Sequence, residues 1–361
     1  MAKESKEHAI WEQNSQNLDE LCATHPLKYL FLEITRRCNL RCVYCGSDCA
    51  PEKTKEDLSV SSWISIIRQI AEDFKAKDIM IAVTGGEPLI KPGIFDIFQE
   101  LHRLRFPFGM VTNGTVIDAE MAKRVVNSGI RSISISMDAP PEINDQFRGE
   151  GVSRRVESAV KNLQQAGFKG KLEIISTLTK PAVKHLDDMR RHVAKLKVPL
   201  WRIAPVMPIG RAAANPELIP GPAELREMLE FIIQGRQDTY MPRPEFGEEG
   251  FLGDGYEGKV RPYLCQCRAG ITTAGILFDG RIGACPELGD AFVQGNVLSE
   301  RFRDVWDQRY QVFRDRSWTR KHECVTCAVY ERCRGGSLHL YLNTQSEILR
   351  CFYKMLEEKA S

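Results

Sequence analysis

Cys38, Cys42 and Cys45 stand at Cys-x3-Cys-x2-Cys spacing in Thr35-Arg36-Arg37-Cys38-Asn39-Leu40-Arg41-Cys42-Val43-Tyr44-Cys45. Three thiolates so spaced suit a [4Fe–4S] cluster with one iron left open, because such clusters ordinarily take four cysteines. The open iron can then bind something that is not protein. A zinc ion or a disulfide are the other readings of the spacing. Cys49 would close the cluster as a fourth ligand, and it is read as a bystander. A second group lies far along the chain: Cys265, Cys267, Cys285, Cys324, Cys327, Cys333 and Cys351. Its tightest run, Cys324-x2-Cys327-x5-Cys333, also suits zinc when taken alone. Between Cys49 and Cys265 there is no cysteine.

Twelve thiols in one chain need a use. An even count invites a disulfide framework, but such frameworks belong to short secreted chains. This chain has 361 residues, and Met1-Ala2-Lys3-Glu4-Ser5-Lys6-Glu7 mixes both charges and leads into no apolar stretch. A signal peptide is therefore not expected, and the implied setting is the reducing cytoplasm, where thiols are available for metal. The 50 basic and 48 acidic residues leave a formal charge of +2, which argues against nucleic acid as the main partner. No apolar run approaches the roughly 18 residues of a membrane span.

The cysteine-free body must position these groups. Strands are expected at Tyr29–Ile34, Ile79–Thr84, Pro107–Thr112, Ile130–Ser136, Lys171–Leu178 and Leu200–Ala204, each short, β-rich and near turn signals. Trp63, Ile66, Ile67, Ile70 and Phe74 form one apolar helical face. Further helices are expected after Gly93, after an N-cap at Asp118, after Ser153 and over Val183–Leu196. The fold class is α/β: a parallel sheet with right-handed crossovers, forming a partial (β/α)6 TIM-like barrel. The first three cysteines then follow the first strand, at the carboxyl end where barrel sites are built. Pro205 to Pro222 carries five prolines and reads as a boundary. One more helix follows over 223–234, and Gly235–Pro262 reads as a long surface loop or a substrate lid. The expected division is an N-terminal extension (1–26), the barrel (27–211), a helix with linker or lid (212–262) and a small cysteine-rich domain (263–361).

The cysteine motif, with Tyr44 before its last member, resembles the signature of the radical S-adenosylmethionine enzymes. Thr84-Gly85-Gly86-Glu87-Pro88 is similar to the family segment that holds the methionine amino group, where glycine admits a close backbone approach. Thr112-Asn113-Gly114 and Ser136-Met137-Asp138 resemble segments near the ribose and methionine. Asn144-Asp145-Gln146-Phe147-Arg148-Gly149 and Pro208-Ile209-Gly210-Arg211 also fit the family pattern. Singly, each is a turn. In order at successive strand ends, they carry the resemblance over residues 27–211. It implies that Cys38, Cys42 and Cys45 hold a [4Fe–4S] cluster. It also implies that Tyr44, Gly85, Gly86, Glu87, Pro88, Asn113, Ser136, Asp138 and Arg148 bind S-adenosyl-L-methionine. The implied enzyme is an oxidoreductase in which a 5′-deoxyadenosyl radical abstracts hydrogen from a substrate C–H bond. No side chain is assigned a catalytic role on the substrate.

The C-terminal spacing, with Gly280, Gly295-Asn296-Val297 and a helix from about Ser299, resembles the SPASM domain, which carries two auxiliary iron–sulfur clusters. The resemblance gives Cys324, Cys327, Cys333 and Cys351 to a distal cluster, and Cys265, Cys267 and Cys285 to a proximal one. The usual last proximal ligand falls on Ser337. The expectation there is an open site, or a fourth ligand from Ser337 or His339. Cys22 and Cys49 have no assigned role.

SPASM domains occur mostly on enzymes that modify peptides or proteins. The implied function is thus peptide maturation under anaerobic conditions, with a reductant such as flavodoxin or ferredoxin. Within it, cross-linking of ribosomal peptides, anaerobic sulfatase maturation, modification of tetrapyrroles or other small molecules, and a group that accompanies small lipoproteins compete. Sulfatase maturases have an Asp directly after the cysteine matching Cys285, where this chain has Pro286. A non-catalytic iron–sulfur electron-transfer protein is the reading from outside the class, and the intact Gly85-Gly86-Glu87-Pro88 disfavours it. About 27 residues precede the first strand, too few for a leader-binding domain. A leader-dependent substrate is therefore expected to need a separate recognition protein, or contacts from the barrel and 235–262.

Overall fold

The computed structural model describes residues 17–52, 57–262 and 266–357. Its centre is a parallel sheet in which β1 (Tyr29–Glu33), β2 (Met80–Thr84), β3 (Phe108–Thr112), β4 (Ser132–Ser136), β5 (Lys171–Leu178) and β6 (Leu200–Pro205) lie side by side in chain order. Strands enclosed on both faces read as apolar runs. Leu30, Leu32, Ile81, Val83, Phe108, Ile133, Ile135, Ile174, Trp201 and Ile203 are all buried.

Helices follow the strands where the sequence places them. Val60–Asp73 starts at Ser59, whose hydroxyl accepts the Ser62 N–H, and buries Trp63, Ile66, Ile67 and Ile70. Ile94–Arg103 starts from Gly93. Ala119–Asn127 starts from Asp118, whose carboxylate accepts the Met121 N–H at 2.7 Å. Three details differ from the expectation. The helix expected after Ser153 spans Val152–Gln165 and is capped by Gly151. Ser153 lies inside it, because its hydroxyl donates to Asp145 at 2.7 Å and accepts from Asn144 at 2.9 Å. The helix expected over Val183–Leu196 is two pieces, Lys180–Val183 and Leu186–Lys195. An additional helix, Pro141–Arg148, buries only Asn144, so no apolar periodicity announces it.

The sheet continues past six strands. β7 (Arg243–Phe246) adds parallel to β6, and β8 (Thr273–Ile276) adds parallel to the far side of β1. β9 (Arg281–Gly283) and β10 (Gly295–Asn296) extend it antiparallel, giving the order β10-β9-β8-β1-β2-β3-β4-β5-β6-β7. The stretch expected to be a surface loop or lid, Gly235–Pro262, therefore supplies an edge strand and core instead. Phe246, Phe251, Leu252, Val260 and Arg261 are buried. Pro244 obscures the strand in sequence, and the edge position tolerates it. Among the described residues, no helix is long and apolar enough to cross a membrane.

The cysteine-rich region is packed onto the barrel as well as paired with it. Helix Phe302–Arg309 sets Phe302 against Phe74 (ring centroids 5.9 Å) and pairs Arg301 with Asp73 at 2.7 Å. Trp306 is buried, stands 4.7 Å from the Tyr310 ring and donates its indole N–H to the His25 carbonyl at 3.1 Å. Trp306→Ala is expected to destabilise the protein by about 3–5 kcal/mol. A guanidinium midpoint unchanged from the parent would contradict this.

Candidate active site

The six barrel strands run the same way, and each segment singled out in the sequence follows a strand end. The loop after β1 carries Cys38, buried, with Cys42 and Cys45 half-buried. Two contacts fix its path. First, it crosses the turn after β2 backbone to backbone: Gly86 N–H donates to Thr35 O at 2.7 Å, and Glu87 N–H to Arg37 O at 2.9 Å. A Cβ on Gly86 would stand 1.9 Å from the Arg37 carbonyl oxygen, and one on Gly85 (φ +134°) 2.3 Å from that of Thr35. The close approach that demands glycine is to the cysteine loop itself. Second, the segment after β6 clasps the loop. Arg211 donates from Nε to Cys42 O at 2.8 Å, from Nη2 to Cys49 O at 2.9 Å and from its backbone N–H to Cys45 O at 3.0 Å.

A buried polar knot supports the thiols from behind. The Tyr44 hydroxyl and the Arg148 guanidinium both donate to Asp138 Oδ2, and the Thr177 N–H donates to Oδ1 at 2.7 Å. The Asp138 N–H in turn donates to Asn144 Oδ1 at 2.9 Å, tying the Pro141–Arg148 helix to the end of β4. Arg148 Nε is buried and has no hydrogen-bond partner. Burial pushes the Cys42 thiol up, and the Arg148 charge offsets only part of that. Burial pushes Cys38 up to about 11, and the Asn113 amide donates to its sulfur at 3.6 Å. A hydrogen bond from Cys49 holds the Cys45 thiol down at about 6. Cys49 is buried in the same loop, and its thiol donates to the Ser47 carbonyl at 3.7 Å.

Glu87 and Asp138 are both buried carboxylates at strand ends. Glu87 is wholly enclosed by protein and accepts from the Asn113 N–H at 2.7 Å, the Thr112 hydroxyl at 2.8 Å and the Leu89 N–H at 3.1 Å. Burial pushes its carboxyl up. It therefore ties Asn113 and the ends of β2 and β3 together. Pro88 and Asp138 are buried too, while Ser136 is half-buried at the end of β4.

In the C-terminal region four cysteines line two adjoining cavities. Cys324, Cys327 and Cys351 line one of them, and Cys324, Cys333 and Cys351 the other. Burial pushes Cys333 up to about 12, and the other three thiolates add to that. Among the described residues, no three His, Cys, Asp or Glu side chains converge closely enough to hold one metal ion. Thiols spread around a cavity suit the corners of a polynuclear cluster better than a zinc ion. Cys267 and Cys285 lie together, and burial, with the Glu249 charge adding to it, pushes the Cys267 thiol up to about 12. Cys265 lies outside the described residues. Ser337 is buried, and the His339 ring faces Glu248 at 3.6 Å. Cys22 lines a separate cavity with Arg314, Arg316 and Arg334.

A cavity of about 300 Å³ separates the two cysteine regions. Ser47 of the first loop and Ile209 after β6 face Phe278, Glu287 and His339 across it, with Glu33 at the end of β1. Glu33 is 3% exposed; burial pushes its carboxyl up to about 7, only partly offset by Arg36 at 3.9 Å.

Comparison with known proteins agrees with this arrangement. Residues 32–192 match the family model of the radical SAM superfamily, and residues 265–328 match that of SPASM, an iron–sulfur cluster-binding domain. The mycofactocin maturase MftC of Mycobacterium ulcerans is 30% identical over 319 residues, covering 85% of this chain and 81% of that protein. The AdoMet-dependent heme synthase of Oleidesulfovibrio alaskensis is 25% identical over 320 residues, covering 84% and 80%. The fold is similar to that of anSMEcpe solved with bound AdoMet and Cp18Cys peptide, with a TM-score of 0.70 at 19% identity over 92% of this chain and 95% of that one.

Two outcomes follow from the geometry. Gly86→Ala is expected to lower the iron content of the reconstituted protein by about four per chain, leaving the auxiliary signals in place. Iron analysis with electron paramagnetic resonance checks it. Glu33 titrates near 7 when folded and near about 4.3 when unfolded. Its contribution to stability is full below the lower value and is lost as pH rises through the upper one. Glu33→Gln is expected to remove that decline. Parallel denaturation midpoints for parent and variant from pH 5 to 8 would contradict it.

Proposed function

The chain belongs to the radical SAM superfamily and carries its SPASM iron–sulfur domain, and from that premise we propose that it matures a peptide or small protein. It is an enzyme of radical chemistry that uses [4Fe–4S] clusters and S-adenosyl-L-methionine. Bound at the reduced cluster, S-adenosylmethionine supplies a 5′-deoxyadenosyl radical able to take hydrogen from an unreactive carbon.

The chain's own residues do the rest. Cys38, Cys42 and Cys45 would hold the cluster and leave one iron for the methionine. The Gly85-Gly86 turn, Asn113 and Ser136 would frame the S-adenosylmethionine, with Glu87, Asp138, Tyr44 and Arg148 fixing that frame from behind. Cys324, Cys327, Cys333 and Cys351 would hold the distal cluster, and Cys267 and Cys285, with Cys265, the proximal one.

The observation that carries the peptide reading is the cavity between the cysteine loop and the auxiliary region. Its lining includes Arg36, Arg281, Glu33, Glu287 and His339. Charges of both signs suit the amides and side chains of a peptide better than the broad apolar face of a tetrapyrrole. The maturase relative supports the same class. The heme synthase relative favours a small-molecule substrate as the second reading. A flavodoxin or ferredoxin in the cytoplasm is the proposed reductant, and a small lipoprotein is the proposed substrate within the peptide class.

Anaerobic co-expression with small proteins encoded beside the chain tests this. The expected result is 5′-deoxyadenosine release and a substrate mass lower by about two hydrogens. Unmodified neighbours, with 5′-deoxyadenosine released on addition of a tetrapyrrole, would move the assignment to the second reading.

A further inference from the structure

The cavity between the cysteine loop and the auxiliary region carries more negative charge than its own cations offset. Arg36, Arg281 and His339 line it, and a carboxylate of the chain already faces each of them. Arg281 meets Asp279 and Asp290 at 2.6 Å, His339 meets Glu248 at 3.6 Å, and Arg36 meets Glu33 at 3.9 Å. Glu287 adds one more carboxylate to the lining and forms no ion pair among the described residues.

Within that surplus, Glu33 is the buried acceptor left over. The other buried acidic side chains, Glu87, Glu100, Asp138 and Glu173, each accept from two or more close donors. Glu33 is 3% exposed, and its closest guanidinium nitrogen, Arg36 Nε, stands beyond hydrogen-bond reach. Arg36 is drawn elsewhere: its Nη2 donates to the Ser47 carbonyl at 2.5 Å, and its guanidinium lies over the Phe278 ring at 5.2 Å. Arg36 Nε is left buried with no hydrogen-bond partner. Burial, offset only in part by the Arg36 charge and the Phe278 main chain, pushes the Glu33 carboxyl up to about 7. A carboxylate with acceptor capacity left, set in a cavity wall, is completed by what enters the cavity.

The rest of the wall says what kind of cation that is. Among the described residues, no three His, Cys, Asp or Glu side chains converge closely enough to hold a metal ion. Ile209, Leu277 and Leu288 line the cavity beside the charges. An apolar wall with a carboxylate set into it matches a side chain whose methylene stem is apolar and whose head is charged. We propose that Glu33 is a specificity-determining residue that receives the cationic head of a lysine or arginine side chain of the substrate, with Glu287 on the auxiliary side of the cavity. This rests on the peptide reading and adds to it the residue type that is read. Glu33 ends β1, and Ser47, from the loop that follows, lines the same cavity. A side chain seated there lies against the loop that carries Cys38, Cys42 and Cys45.

The test uses full-length chain reconstituted anaerobically, with S-adenosylmethionine present and the clusters oxidised so that nothing turns over. The probes are four acetylated, amidated pentapeptides, alanine at every position except the central one, which is lysine, arginine, citrulline or glutamate. Isothermal titration calorimetry reads their affinities. The lysine and arginine probes are expected to bind the parent about tenfold or more tighter than the citrulline probe, with the glutamate probe weakest. Glu33→Gln is expected to bring the ratio of cationic to citrulline affinity toward one, and Glu33→Asp to keep most of it. Iron analysis shows that each variant is folded, and Glu33→Met repeats the neutral substitution should Glu33→Gln lose its iron. A parent that binds the lysine, arginine and citrulline probes alike would overturn this proposal and leave the peptide reading standing. The same ratio in the parent and a folded neutral variant would overturn it equally. A parent that binds none of the four probes would remove the peptide reading and this proposal with it.

Discussion

The site depends on one crossing of main chains. Where the loop after β1 passes the turn after β2, the carbonyls of Thr35 and Arg37 lie where side chains at residues 85 and 86 would otherwise be. The two hydrogen bonds across that crossing set the height of the loop over the sheet one residue before the first thiol. Any Cβ there must lift the loop, and all three cysteines move with it. The clasp by Arg211 reinforces the constraint from the far strand, holding the carbonyls of Cys42, Cys45 and Cys49 at once. The first and sixth strands are thereby joined across the mouth of the barrel, although they do not pair in the sheet.

Buried carboxylates carry the next level of order. Glu87 and Asp138 each accept three hydrogen bonds in surroundings nearly without solvent. In such surroundings a fully satisfied network is rigid, and a lost donor is costly. Glu87 ties β2 to β3, and Asp138 ties β4, β5, the Pro141–Arg148 helix and Tyr44 together. The strand ends around the cluster loop are cross-braced by charge that faces protein.

What the sequence disclosed follows from what each signal measures. The six strands were legible because enclosed strands read as short apolar, β-branched runs. The site segments were legible because rare residue types recur in order at their ends. Orientation was not. Glu87 and Asp138 were singled out, but a string of letters does not say whether a carboxylate faces a ligand or the protein. Helix Pro141–Arg148 left no trace because a polar residue, Asn144, is what it buries. β7 was hidden by Pro244 and depends on its neighbour β6 for existence as a strand. The Arg211 clasp on the cysteine loop forms only when distant turns meet, and spacing rules carry no information about that.

The pairing of β8 with β1 bears on how the protein is made. Tyr29 to Leu32 gain their second neighbour only when Thr273 to Ile276 have been synthesised. Until then the first strand offers a row of open N–H and C=O groups, the feature that recruits stray strands into aggregates. Long-range parallel pairing is also slow to form. The nascent barrel is thus topologically unfinished for most of its time on the ribosome, and its exposure to misassembly ends only when the auxiliary region arrives.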